Sequence, residues 1–95
     1  MTFDWDPLKA AENLDKHGIS FDQARQVFYD PNARFYQDVD HSDAERREKA
    51  VGFVETAGIV LVVFTERRQD VIRIISARAA TKRERQDYEE NEATD

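Results

Sequence analysis

The sequence predicts an α+β domain, a small antiparallel sheet packed with two N-terminal helices and one C-terminal helix. Three observations predict it. Two capped segments with helical spacing fill the first 30 residues. Three β-branched and aromatic runs follow between Arg47 and Arg78, separated by short polar turns. A capping-box pattern, Thr81-Lys82-Arg83-Glu84, then opens a last helix. With 95 residues and no cysteine, residues 1–95 make one domain with one modest core and no disulfide framework.

Thr2-Phe3-Asp4-Trp5 alternates in polarity, as a short edge strand does. Asp6-Pro7 starts a helix, since Asp supplies an N-cap oxygen and Pro suits the first turn. Leu8, Ala11 and Leu14 follow at helical spacing, and Gly18 stops it. Ser20 to Gln23 is a capping box for a second helix with Phe21, Ala24, Val27 and Phe28 on one stripe, ended by Asp30-Pro31. Phe3 and Trp5 read as core residues. A short strand over Ala33 to Gln37 leads into an acidic loop, Asp38 to Asp43.

Strands are then expected over Arg47 to Glu55, Ile59 to Glu66 and Val71 to Arg78, with turns at Ala57-Gly58 and Arg67 to Asp70. The last helix runs to about Glu90, and residues 91–95 fray. If Glu66 and Val71 close the last hairpin as an opposed pair, Glu66 and Arg73 are diagonal neighbours on one face. Arg78 then belongs to the other face, unless twist or a bulge redirects it. Both faces of this hairpin are mostly apolar. The first two helices cover one, and the short charged last helix covers only part of the other, so another protein is expected to shield some apolar sheet surface.

Charge is uneven. The net charge is -6, yet residues 46–85 carry ten basic against five acidic side chains, while the flanking segments are acidic. Charges separated by more than a Debye length of about 8 Å are largely screened from each other, so a basic surface survives the acidic total. The longest nearly apolar run, Gly58 to Thr65, is far shorter than the roughly 20 residues of a membrane span. The N-terminus lacks the pattern of a secretory signal, and the absence of cysteine fits a cytoplasmic protein.

Arg67, Arg68, Arg73, Arg78, Arg83 and Arg85 cluster around the last hairpin and the helix after it, with Tyr88 one turn beyond. Guanidinium forks bind phosphate oxygens in pairs, and aromatic rings among them stack bases. The same residues also fit an ion-pair network with Glu66 and Glu84. His17, before Gly18, either interacts with the last helical carbonyls or exchanges protons near neutrality. Asp38, Asp40, His41 and Asp43 resemble a metal loop only superficially, lacking the glycine and closing Glu of a calcium hand, and no metal or other cofactor is expected.

Five ordered segments resemble the BrnT toxin family: F-x-W-D-P-x-K-A-x-x-N (Phe3 to Asn13), K-H-G-I-S-F (Lys16 to Phe21), A-x-x-V-F-x-D (Ala24 to Asp30), V-V-F-T-E-R (Val62 to Arg67) and I-R-I-I-S-A-R (Ile72 to Arg78). R-x-x-Y (Arg85 to Tyr88) is similar to it as well. The resemblance implies a RelE-like fold and a type II toxin that cleaves RNA without metal and inhibits translation. It also implies a BrnA-like ribbon-helix-helix antitoxin that alone contacts operator DNA, in a toxin dimer or a heterotetramer. On that reading Arg73 and Arg78 stabilise the phosphoryl oxygens, and Glu66 or His17 is the base. Tyr88 or an arginine such as Arg67 assists the leaving oxygen, and Arg46, Arg47, Lys49, Arg68, Lys82 and Arg85 hold the RNA. Two other readings stand beside it: a non-enzymatic interaction module with a basic patch, and an inactive toxin homologue.

Overall fold

The computed structural model describes residues 1–38 and 46–93, with side chains through Glu90. Its elements are β1 (Thr2–Asp4), α1 (Pro7–His17), α2 (Phe21–Ala24) continued by a 3-10 turn (Arg25–Tyr29), β2 (Arg34–Gln37), β3 (Glu48–Val54), β4 (Gly58–Arg67), a 3-10 turn (Arg68–Asp70), β5 (Val71–Ala79) and α3 (Lys82–Ala93). The strands form one sheet in the order β1-β5-β4-β3-β2. Pairing is antiparallel from β2 through β5, and β1 adds in parallel to β5, which makes the sheet mixed.

The helix ends follow the expected chemistry. The Asp6 carboxylate accepts from the Leu8 amide, and Gly18 closes α1 at φ 71°, a left-handed conformation that glycine adopts without a Cβ penalty. Ser20 and Gln23 exchange both capping-box hydrogen bonds. Phe21, Ala24 and Val27 are buried against Val60, Val62, Phe64, Ile72 and Ile74 from the sheet. Phe28 crosses Phe64 edge-on at 4.9 Å, and Trp5 does the same to Phe21 at 5.9 Å. These aromatics close the main core under the α1–α2 layer.

The inward face of α1 differs from the expected stripe. Leu8 and Leu14 are 68% and 51% exposed, whereas Asn13 is buried. The helix lies along the outer edge of β5, where close approach favours Ala10 and a side chain able to bond an open strand edge. Gly52 permits a second close approach: a Cβ there would meet the Val27 side chain at 2.9 Å, so the 3-10 turn rests directly on β3.

The register of the last hairpin is also different. Arg67, not Glu66, stands opposite Val71, because Gln69 and Asp70 take φ 61° and 67° and close the turn in three residues. Thr65 then faces Arg73 and Phe64 faces Ile74, but Val63 faces Ser76, leaving Ile75 as the extra residue of a bulge. Glu66, opposite Ile72, belongs to the helix-covered face. It is therefore not the diagonal neighbour of Arg73.

Candidate functional site

The bulge decides which side chains share the open face of the sheet. In a regular strand Arg73 and Arg78, five residues apart, lie on opposite faces. With Ile75 inserted, Arg73 pairs with Thr65 and Arg78 with Leu61, and alternation along β4 puts Thr65, Val63 and Leu61 on one face. Arg73, Ser76 and Arg78 therefore line one side of β4. On its other side Lys49 faces Val63 and Val51 faces Leu61. The Thr65 hydroxyl donates to the Arg46 carbonyl at 2.9 Å, which draws Arg47 alongside. The result is a trough with β4 as its floor and cations on both walls.

At one end of the trough, a polar cleft of about 210 Å³ is lined by Asp6, Lys9, Arg47, Arg67 and Arg73 with Ile74 and Ile75. Arg73 Nη1 lies 3.4 Å from Asp4 Oδ1, and both side chains remain partly exposed. Cations outnumber acids here, so an entering anion relieves their mutual repulsion. A second cleft, lined by Lys9, Glu12, Asn13, Lys16, His17, Ile75 and Ser76, adjoins it along α1. Lys9 and Ile75 belong to both clefts, which makes the bulge the divide between the four-cation end and His17.

The other end is closed by α3. Tyr88 is buried with Val51 and Leu61 in a second, smaller core, and its hydroxyl donates to Asp30 Oδ2 at 2.6 Å. It is thus a residue that seats α3. Arg78 meets Glu84 through two bonds, Nη1 to Oε1 at 2.8 Å and Nη2 to Oε2 at 3.0 Å. Glu84 also closes the capping box with Thr81 at the start of α3. The bidentate bond to Glu84 raises the guanidinium pKa, and the bond from Arg78 is the largest influence lowering that of Glu84. Arg78 keeps 37% of its side chain exposed.

The remaining candidates spread out. Arg46 is exposed, and Arg68 is exposed in the hairpin turn. Lys82 and Arg85 are exposed on α3, and Glu66 is exposed at the strand end on the other face. Lys49 lies 3.8 Å from the buried Asp38 carboxylate. Asp40, His41 and Asp43 lie outside the described residues, and no group of three or more potential metal-ligating acids or histidines occurs among those described. Exposed large apolar side chains occur at Leu8, Leu14, Tyr29, Phe35 and Phe53. On the open face the cations stand beside apolar side chains, Val51, Leu61, Ile59 and Val63, with Phe53 exposed at the margin. Lys9, Thr65 and Ser76 were not expected in the site. Lys9 stands in the K-A-x-x-N segment, while the other two enter only through the bulged register.

Two of the comparisons with known proteins find matches to this chain. The family described as ribonuclease toxin, BrnT, of type II toxin–antitoxin systems matches residues 5–84. Among solved structures, the crystal structure of the Brucella abortus ribonuclease toxin BrnT aligns with a TM-score of 0.67 at 26% sequence identity, covering 86% of this chain and 99% of that one. No curated protein matches the chain.

Proposed function

Because this chain belongs to the family of BrnT ribonuclease toxins of type II toxin–antitoxin systems, we propose that it cuts RNA in the basic trough without a metal ion. The observation that carries this reading is the placement of Arg73 and Arg78 on one open face, across β4 from Arg47 and Lys49. A single strand lying along β4 meets donors from both walls, and planar guanidinium forks suit its phosphates. In the reaction the ribose 2′-oxygen attacks the adjacent phosphorus and loses its proton to a base. The bond from phosphorus to the 5′-oxygen breaks, that oxygen takes up a proton, and a 2′,3′-cyclic phosphate remains.

Arg73, Arg67 and Arg78 supply positive charge where the phosphoryl oxygens become more negative, which substitutes for a metal's electrostatic role. His17 is better placed than Glu66 to receive the proton. It lines the cleft that adjoins the Arg73 end, whereas Glu66 lies on the far face. Arg46, Arg47, Lys49 and Arg68 contact flanking phosphates, with Lys82 and Arg85 extending the path along α3. Cleavage inhibits translation by destroying message. The protein neutraliser is a BrnA-like ribbon-helix-helix antitoxin, and operator DNA is reached only through it. The pair works in the cytoplasm, as a toxin dimer or a heterotetramer.

Purified protein incubated with RNA, with and without chelator, tests this. Metal-independent cleavage leaving cyclic phosphate ends is expected, and Arg73→Ala and Arg78→Ala should each lower the rate by about 10²–10³-fold. His17→Gln should lower it by at least about 10²-fold. Full activity in a folded R73A/R78A double mutant would refute the site, and loss of cutting on chelation would refute the metal-free mechanism.

A further inference from the structure

The bulge that aligns Arg73 with Arg78 lies on a strand edge that β1 leaves bare. β1 pairs with β5 only from Val71 to Arg73, so beyond that point the outer edge of β5 has no neighbouring strand among the described residues. Buried backbone amides and carbonyls require partners, and a bulge locally disrupts the ladder of the strand that carries it. Here the partner is a side chain. Asn13, on the sheet side of α1 and 7% exposed, accepts from the Ala77 amide at 3.0 Å through Oδ1 and donates to the Ala77 carbonyl at 2.8 Å through Nδ2. This is the two-point exchange that a neighbouring strand residue would make. Nδ2 also donates to the Ile19 carbonyl at 2.9 Å, tying the clamp to the chain after α1. Two carbonyls must face the amide nitrogen and one N–H must face the oxygen, so the orientation of the side chain is determined.

We propose that Asn13 is a positioning residue, a one-residue surrogate strand that holds the β5 bulge and thereby keeps Arg78 on the same face as Arg73. Ala77 is the first residue after Ser76, where paired register resumes, and it directly precedes Arg78. The clamp therefore grips the strand at the point where slippage by one residue would turn Arg78 to the opposite side. Asn13 touches no substrate in this role. It acts through Arg78, and the inference rests on the reading of the trough as the ribonuclease site.

The test measures RNA cleavage by Asn13→Ala per folded molecule, with the β4–β5 register read by NMR on the same sample. The expected result is a fall in kcat of at least tenfold with KM changed less than about twofold. It comes with disappearance of the Leu61–Arg78 pairing and of the Arg78–Glu84 bridge, while the Thr65–Arg73 pairing persists. A residue that only stabilises the fold would lower the melting temperature and leave both kcat and the register intact. Should N13A not fold, Asn13→Asp, which keeps an acceptor facing the Ala77 amide, carries the same comparison. An unchanged register, an altered register with kcat unchanged, or failure of both variants to fold overturns the assignment. If R73A/R78A proves fully active, the trough reading fails on its own, and the NMR register still decides whether Asn13 holds the bulge.

Discussion

Asp30 is the residue through which three elements meet. It ends the 3-10 turn, accepts from the Asn32 amide at 2.8 Å and the Phe53 amide at 2.8 Å, and receives the Tyr88 hydroxyl at 2.6 Å. Burial pushes its carboxyl pKa up, but the bonds from Tyr88, Phe53 and Asn32 together outweigh it and hold the net value below the usual one. Its folded value thus lies under its unfolded value of about 3.9. The stabilisation is complete above that value and is lost as pH falls through the folded one. Tyr88→Phe removes a hydrogen bond to a charged acceptor and should cost about 1.5–3 kcal/mol at pH 7. Urea unfolding at pH 7 and pH 3 checks this, and the difference between variant and wild type should shrink at the lower pH. Equal stability at pH 7 would show that ring burial alone seats α3.

At the scale of elements, the β4–β5 hairpin stores strain in its turn. Gln69 at φ 61° and Asp70 at φ 67° are consecutive left-handed residues with side chains. Asp70 has compensation, since its carboxylate lies 3.1 Å from the N-terminal ammonium. Gln69 has none of that kind, and left-handed backbone costs an ordinary residue about 1–2 kcal/mol. Gln69→Gly removes that cost at an unfolded-chain penalty of about 0.4–1 kcal/mol, so thermal unfolding should move up by a few degrees. An unchanged or lower Tm would mean that the turn is not strained at Gln69. The α3 element is held differently, by the Arg78–Glu84 bridge at its start and Tyr88 one turn later. Its other described side chains are largely polar and exposed, so its position depends on a few groups that also border the site.

For the whole molecule, the acidic total hides a local positive field. The ten basic residues of segment 46–85 are distributed by the sheet, and Arg47, Lys49, Arg67, Arg73 and Arg78 converge around β4. RNA affinity should therefore fall as salt rises, with a logarithmic slope of about -0.7 for each phosphate neutralised on a single strand. Lys49→Ala should reduce the size of that slope by about 0.7. Arg25→Ala should leave it unchanged, because Arg25 lies on the helix side, near Phe3 and 3.3 Å from Asp22. Fluorescence anisotropy with labelled RNA at several salt concentrations reads both. A slope unaffected by Lys49→Ala would remove Lys49 from the RNA path.

Local chemistry made much of this molecule legible from its residues. Asp6-Pro7, Gly18, the Ser20–Gln23 box, the Thr81–Glu84 box and the β-branched runs each act within a few positions, so helices, strands and their order could be read directly. The ordered segments from Phe3 to Arg78 likewise carried the family. What only the tertiary structure decided was register and face. Alternation has a period of two, so one inserted residue at Ile75 reverses every side chain after it, and nothing in I-R-I-I-S-A-R marks which residue is extra. The same holds for the inward face of α1. Leu8 and Leu14 have the apolar spacing, yet the edge of β5 needed hydrogen bonds more than methyl groups, and Asn13 took the buried position. Hydrophobic pattern determines what can be buried, but the unpaired backbone of a distant strand determines which face turns inward.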